Sequence, residues 1–111
     1  MDKYSVIISR PAELDLLEIV NYYESRNKRF AVELYKRIKS RILELVEIPD
    51  RGRQVPELER QGIENYRELI EGNYRIVYSV TALRVIVHSI VDSRRNLEEI
   101  LIKKILLRYE K

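Results

Sequence analysis

The hydrophobic period changes once along this chain, and that change limits what it can fold into. Leu16, Ile19, Val20 and Tyr23 recur at helical spacing, as do Ala31, Leu34, Tyr35, Ile38, Ile42 and Leu45. From Tyr66 to Val91 the period drops to two, the spacing of half-buried strands. Two helices followed by a run of strands is the signature of an α+β domain. Ser25 to Lys28 interrupts the helical pattern only briefly, so the helices are expected to form an antiparallel hairpin. A strand from Tyr4 to Ser9 precedes them, rich in β-branched residues, and Ser9 with Pro11 forms a helix start. Pro49 ends the second helix, and Asp50 to Asn65, with Gly52, Pro56 and Gly62, reads as a long surface connection. Strands are expected over Tyr66–Ile70, Asn73–Val80 and Leu83–Val91, joined by tight turns at Glu71-Gly72-Asn73 and Thr81-Ala82. A helix over 96–109 closes the order β-α-α-β-β-β-α. The expected architecture is a helical hairpin packed on one face of a small antiparallel sheet whose other face is open.

A length of 111 residues fits one domain, expected to span 1–111 with the C-terminal helix included. The 45% apolar fraction can fill one modest core. No apolar run approaches the roughly 20 residues of a membrane span, and Met1 to Tyr4 lacks the apolar stretch of a signal peptide. The expected location is the cytoplasm. The absence of cysteine removes disulfides, thiolate catalysis and thiolate metal sites. Three scattered glycines exclude a glycine-rich phosphate loop. No cofactor and no metal are expected. His88, the single histidine, shares strand parity with Arg84, Ile86 and Ile90, and no acid at strand spacing orients it. It reads as a packed strand histidine rather than a catalytic base.

The arginines carry more information, because a net charge of +3 says little while its distribution says more. Arg67 and Arg75 lie within strands and beside tyrosines; Arg94 and Arg95 follow the last strand. Strand alternation groups Arg75 with Val77 and Ser79, opposite Tyr74, Ile76, Tyr78 and Val80. An arginine so placed either holds a carboxylate such as Glu68 by a bidentate pair or faces outward to bind phosphate, with tyrosines ready to stack on bases. Arg67 and Arg75 are expected on one side of the sheet, with Arg94 or Arg95 at its edge, as a macromolecular binding surface. In 96–109 the apolar residues spread over about 260°, wider than a one-sided helix needs. Ile102, Leu106 and Tyr109 are therefore candidates for a patch that meets a partner, either a different protein or a second copy.

Several ordered segments resemble the RelE/ParE superfamily, the toxins of type II toxin–antitoxin systems. They are Pro11-x-Glu13-x-Asp15-Leu16, Pro49-x-x-Gly52-Arg53-x-Val55-Pro56-Glu57, Tyr66-Arg67-Glu68-Leu69, Gly72-Asn73-Tyr74-Arg75-Ile76-Val77-Tyr78 and Val91-Asp92-Ser93-Arg94-Arg95. The resemblance implies the microbial RNase-like fold and a cytoplasmic growth inhibitor neutralised by a cognate antitoxin. RelE-like members cut messenger RNA on the ribosome without a metal, through a basic cluster and often a tyrosine or histidine. ParE-like members block DNA gyrase. If this chain were RelE-like, Arg67, Arg75 and Arg94 would stand at the nuclease positions. Leu69, however, stands where those nucleases carry a second lysine, and Ile100 where their late tyrosine falls. Arginine is also a poor general base, since it stays charged. The resemblance therefore leans towards a gyrase-directed toxin over an mRNA endoribonuclease, with a non-toxic RNA-binding or adaptor module of the same fold as the other alternative.

Overall fold

The structure, a computed structural model, describes residues 3–97, 99, 100 and 103. Strand β1 (Ser5–Ile8) leads into helix α1 (Arg10–Glu24). Ser9 caps α1 by accepting the Ala12 N–H at 3.3 Å, and Pro11 occupies the first turn, where its missing N–H costs nothing. At the other end Arg26 donates to the Tyr22 carbonyl at 2.7 Å and lies over the Tyr22 ring, which satisfies one orphan C-terminal carbonyl. Asn27 then caps helix α2 (Lys28–Leu43) by accepting the Phe30 N–H. A 3-10 turn, Glu44–Val46, extends α2 and buries Leu45.

The expected surface connection contains two short elements, strand β2 (Arg53–Gln54) and helix α3 (Pro56–Glu59). Strands β3 (Tyr66–Glu71), β4 (Tyr74–Thr81) and β5 (Arg84–Asp92) follow. The sheet order is β1-β5-β4-β3-β2. All neighbours are antiparallel except β1, which runs parallel to β5, so the sheet is mixed rather than purely antiparallel. Residue periodicity reports which face a strand buries and carries no information on its direction.

Helices α1 and α2 cover one face. Leu16, Leu34, Ile38 and Ile42 pack there against Leu69, Ile76, Tyr78, Val85 and Val87. Each such side chain contributes about 1.5–3 kcal/mol by leaving water. The other face is not open, contrary to expectation. Val55 and Leu58 from the 50–65 segment, together with Leu97, close over Val77 and Val91. Leu97, Glu99, Ile100 and Lys103 are helical, and the Asn96 side chain caps them by accepting the Glu99 N–H.

Strand β5 carries a bulge. Tyr78 pairs with Val87 and Val77 with Ser89, which leaves His88 as the extra residue. Alternation therefore reverses: His88 keeps the parity of Arg84 and Ile86, while Ile90 moves to the helix side and joins the core there. The expectation that Ile90 shares a face with His88 is corrected on this ground. The Asp15 carboxylate on α1 accepts both the Ile90 N–H at 2.9 Å and the Ser89 hydroxyl at 3.1 Å, fastening the bulge to the helix layer.

Candidate functional site

The sheet geometry separates the arginines that the sequence groups together. Arg75 is buried on the face away from α1 and α2, 8% exposed. Its Nε donates to Glu68 at 2.6 Å, and its two terminal nitrogens hold both oxygens of Glu57 at 2.6 and 2.7 Å. Glu68 is 1% exposed, and its second oxygen accepts from Arg53 at 2.8 Å. The result is a chain of alternating charges, Arg53–Glu68–Arg75–Glu57, that joins β2, β3, β4 and α3. Among the described residues no buried side-chain nitrogen or oxygen lacks a partner. The bidentate arm to Glu57 raises the Arg75 pKa further and excludes it as a proton acceptor.

The same arm draws Glu57 below the ordinary carboxyl value of 4.5. A carboxyl with a lowered folded-state pKa adds stability above its unfolded value and loses it as pH falls through the folded value. Stability should thus drop more steeply below pH 4.5 in the parent than in Glu57→Gln, as followed by urea unfolding at a series of acidic pH values.

Arg67 lies on the opposite side of the sheet. It pairs with Tyr78, whose ring is in the helix-side core, and it donates to the Gly52 carbonyl at 2.7 Å. The expectation that Arg67 and Arg75 share a side is corrected, and the cause is the turn. Glu71 pairs with Tyr74, so the hairpin closes through only Gly72 and Asn73, with Gly72 at φ +58°. A three-residue turn would place Arg67 opposite Val77, on the Arg75 side; one residue fewer reverses the parity.

Gly52 is held from two directions. The Tyr78 hydroxyl accepts its N–H at 2.9 Å while Arg67 takes its carbonyl. Burial pushes the Tyr78 phenol up, so it stays protonated. Tyr78→Phe leaves the buried Gly52 N–H without its acceptor and should cost about 1–2 kcal/mol in urea unfolding, with the fold retained.

Arg94 sits beyond β5 and forks onto Asp92, with Nε to Oδ1 at 2.9 Å and Nη2 to Oδ2 at 2.6 Å. Arg94 holds the Asp92 carboxyl down at about 2. Arg94 and Arg95 help to line an open cleft of about 750 Å³ between the α1–α2 turn and the end of the sheet, with Arg26, Tyr23, Phe30 and Tyr74 among its other walls. His88 bonds through Nε2 to the Ser79 hydroxyl at 2.7 Å and meets the Tyr66 ring edge-on, a packed strand histidine as the sequence indicates. The candidate partner patch at Ile102, Leu106 and Tyr109 lies outside the described residues.

The residues that fasten the site, Glu57, Gly52 and Tyr78, were legible as parts of motifs but not in these roles. The acid at position 57 carries no periodic signal, since it lies in the first turn of a four-residue helix.

The family model described as the ParE toxin of the type II toxin–antitoxin system parDE matches residues 6–97, from β1 to the start of the C-terminal helix. This chain belongs to the ParE toxin family. Solved structures agree on the fold of this toxin. A chain of the chromosomal ParDE system from P. aeruginosa superposes with a TM-score of 0.68 at 18% identity, covering 83% of this chain and 98% of that one. A chain of the RelBE2 toxin–antitoxin complex from Mycobacterium tuberculosis gives 0.58 at 18% identity, covering 83% and 93%. No curated protein matches the toxin chain. Among the described residues no helix is long and apolar enough to cross a membrane.

Proposed function

We propose that this ParE-family toxin arrests growth by docking on a protein target, DNA gyrase being the one suggested by its family, and that it does not cut RNA. One observation carries the proposal. The arginines at the nuclease positions do not converge: Arg67 lies on the helix side, Arg75 is enclosed by two carboxylates on the other, and Arg94 is forked onto Asp92 beyond β5. Cleavage through a 2′-hydroxyl needs a base at the attacking oxygen and cations around one phosphate. Three cations in three places, two of them already engaged inside the fold, do not supply that arrangement. A docking toxin needs only a rigid, well-formed surface, which is what the internal pairing provides.

The cognate antitoxin is the partner that neutralises the toxin. Induction of the chain alone in a bacterium should stop growth, and co-expression with its neighbouring antitoxin gene should restore it. Purified toxin should then inhibit DNA supercoiling by gyrase and leave translated transcripts intact in primer extension. Ribosome-dependent breaks with unaffected supercoiling would replace this proposal with the nuclease alternative. Undisturbed growth in several hosts would favour the non-toxic module.

A further inference from the structure

Four aromatic side chains gather at one end of the toxin, around the cleft of about 750 Å³ between the α1–α2 turn and the end of the sheet. Tyr22 meets Tyr23 edge-on with ring centroids 5.0 Å apart, and Tyr23 meets Phe30 edge-on at 4.8 Å. Tyr74, from the start of β4, donates its hydroxyl to that of Tyr23 at 3.4 Å. Three other concavities in the described part of the chain hold one aromatic between them, Tyr4.

Two arginines at the mouth of the cleft are exposed and yet already held in place. Arg26 lies 3.9 Å over the Tyr22 ring and donates to the Tyr22 carbonyl. Arg94 is forked onto Asp92, with 72% of its side chain exposed. An exposed ion pair adds little to stability. What such contacts do supply is order, because an arginine already fixed in one geometry loses less freedom when a partner arrives. Arg95 beside them is exposed and in no ion pair among the described residues.

The charge of the walls discriminates between classes of partner. Arg26, Arg94 and Arg95 are matched by Asp15, Glu18 and Asp92, so the cleft carries no net positive charge. A phosphate backbone is held by cations in excess, and carboxylates in the same walls repel it. Tyrosine and arginine around a concavity of balanced charge are instead the composition of a protein-docking hot spot.

We propose that the toxin grips its protein target with this cleft. A protruding apolar side chain of the target enters against Tyr22, Tyr23 and Phe30, and acceptor oxygens beside it take the unspent N–H groups of Arg26, Arg94 and Arg95. The inference rests on the docking mode proposed above and adds the surface that carries it. It gives Arg94 and Arg95 a part in target binding that needs no phosphate.

Titration of the purified full-length toxin against gyrase in a supercoiling assay, with growth arrest on induction measured in parallel, tests it. Tyr22→Ala with Arg95→Ala should raise the concentration for half-inhibition at least about thirtyfold and relieve growth arrest. The melt should stay close to the parent, since Tyr22 is 53% exposed and Arg95 is exposed too. Arg95→Glu alone should act in the same direction. Leu83→Ala with Arg84→Ala, at the other end of β5 and about 26 Å away at 3.3 Å per residue, should inhibit as the parent does. A folded Tyr22→Ala, Arg95→Ala toxin that inhibits and arrests like the parent overturns the proposal, as does equal damage from the Leu83 and Arg84 pair. So does a single-stranded RNA oligonucleotide that binds the parent and is released by Arg95→Glu while inhibition holds. A parent that arrests growth without inhibiting gyrase removes gyrase as the target, and loss of arrest in the Tyr22→Ala, Arg95→Ala variant then still upholds the cleft. A parent that leaves growth undisturbed sinks both.

Discussion

Arg75→Ala is expected to destabilise the toxin by about 3–5 kcal/mol, the scale for removing one partner from a buried ion pair. The residue gives up three bonds of 2.6–2.7 Å at once. Glu68, 1% exposed, is left with only Arg53, whose side chain is 63% exposed. Glu57 loses both anchored oxygens, and α3 loses its tie to β4. For a domain near this size, each kcal/mol moves Tm by about 4–8 °C, so the loss should show as a shift on the order of 15 °C or more in a thermal melt. Removing the charges together should cost much less. The triple variant Glu57→Gln, Glu68→Gln, Arg75→Met leaves no uncompensated buried ion, and its melt should lie closer to the parent than to Arg75→Ala.

The second large effect is expected at Gly52. A Cβ there would stand 2.5 Å from the Glu68 carbonyl oxygen and 2.7 Å from the Tyr78 hydroxyl. The first of these is backbone in the middle of the sheet and has no rotamer by which to retreat. Gly52→Ala must push the 50–54 segment outward. That breaks the Gly52 bonds to Tyr78 and Arg67 and strains the pairing of Arg53 with Glu68 across β2 and β3. Overpacking of this kind costs about 2–3 kcal/mol, read as a lower urea midpoint. Gly62→Ala is a useful contrast, because nothing lies within 4 Å of its Cβ and only its positive φ resists.

Much of this fold is written in residue spacing. The faces of α1 and α2 follow from apolar positions three and four apart, and their starts from Ser9 and Asn27. What spacing does not record is any feature that depends on a single residue. The bulge at His88 adds one position to β5 within a run of β-branched residues that would alternate equally well without it. The turn at Gly72 and Asn73 is one residue shorter than the Glu71-Gly72-Asn73 turn read from the sequence, and that single step moved Arg67 across the sheet. Strand β2 and helix α3 are too short to show a period, yet they bring Arg53 and Glu57 to the two ends of the charge network. Glu68 is the acid that the sequence offers to Arg75, yet with Arg67 and Arg75 expected on one side it would have pointed away; the short turn that moves Arg67 to the helix side is what brings Glu68 to the face of Val77 and Arg75. The second carboxylate, from Glu57, required the path of the 50–65 segment to be known.

The same network bears on how the toxin works. Buried, bidentate and balanced, Arg75 is a fastening between elements, and its charge need not reach any target. The growth-arrest assay on the triple variant Glu57→Gln, Glu68→Gln, Arg75→Met separates the two roles, with circular dichroism and a thermal melt on the same protein to establish that it is folded. A folded triple variant that still arrests growth, and is still rescued by the antitoxin, is the expected result. A folded triple variant that leaves growth undisturbed would contradict it and return Arg75 to the chemistry of the target site.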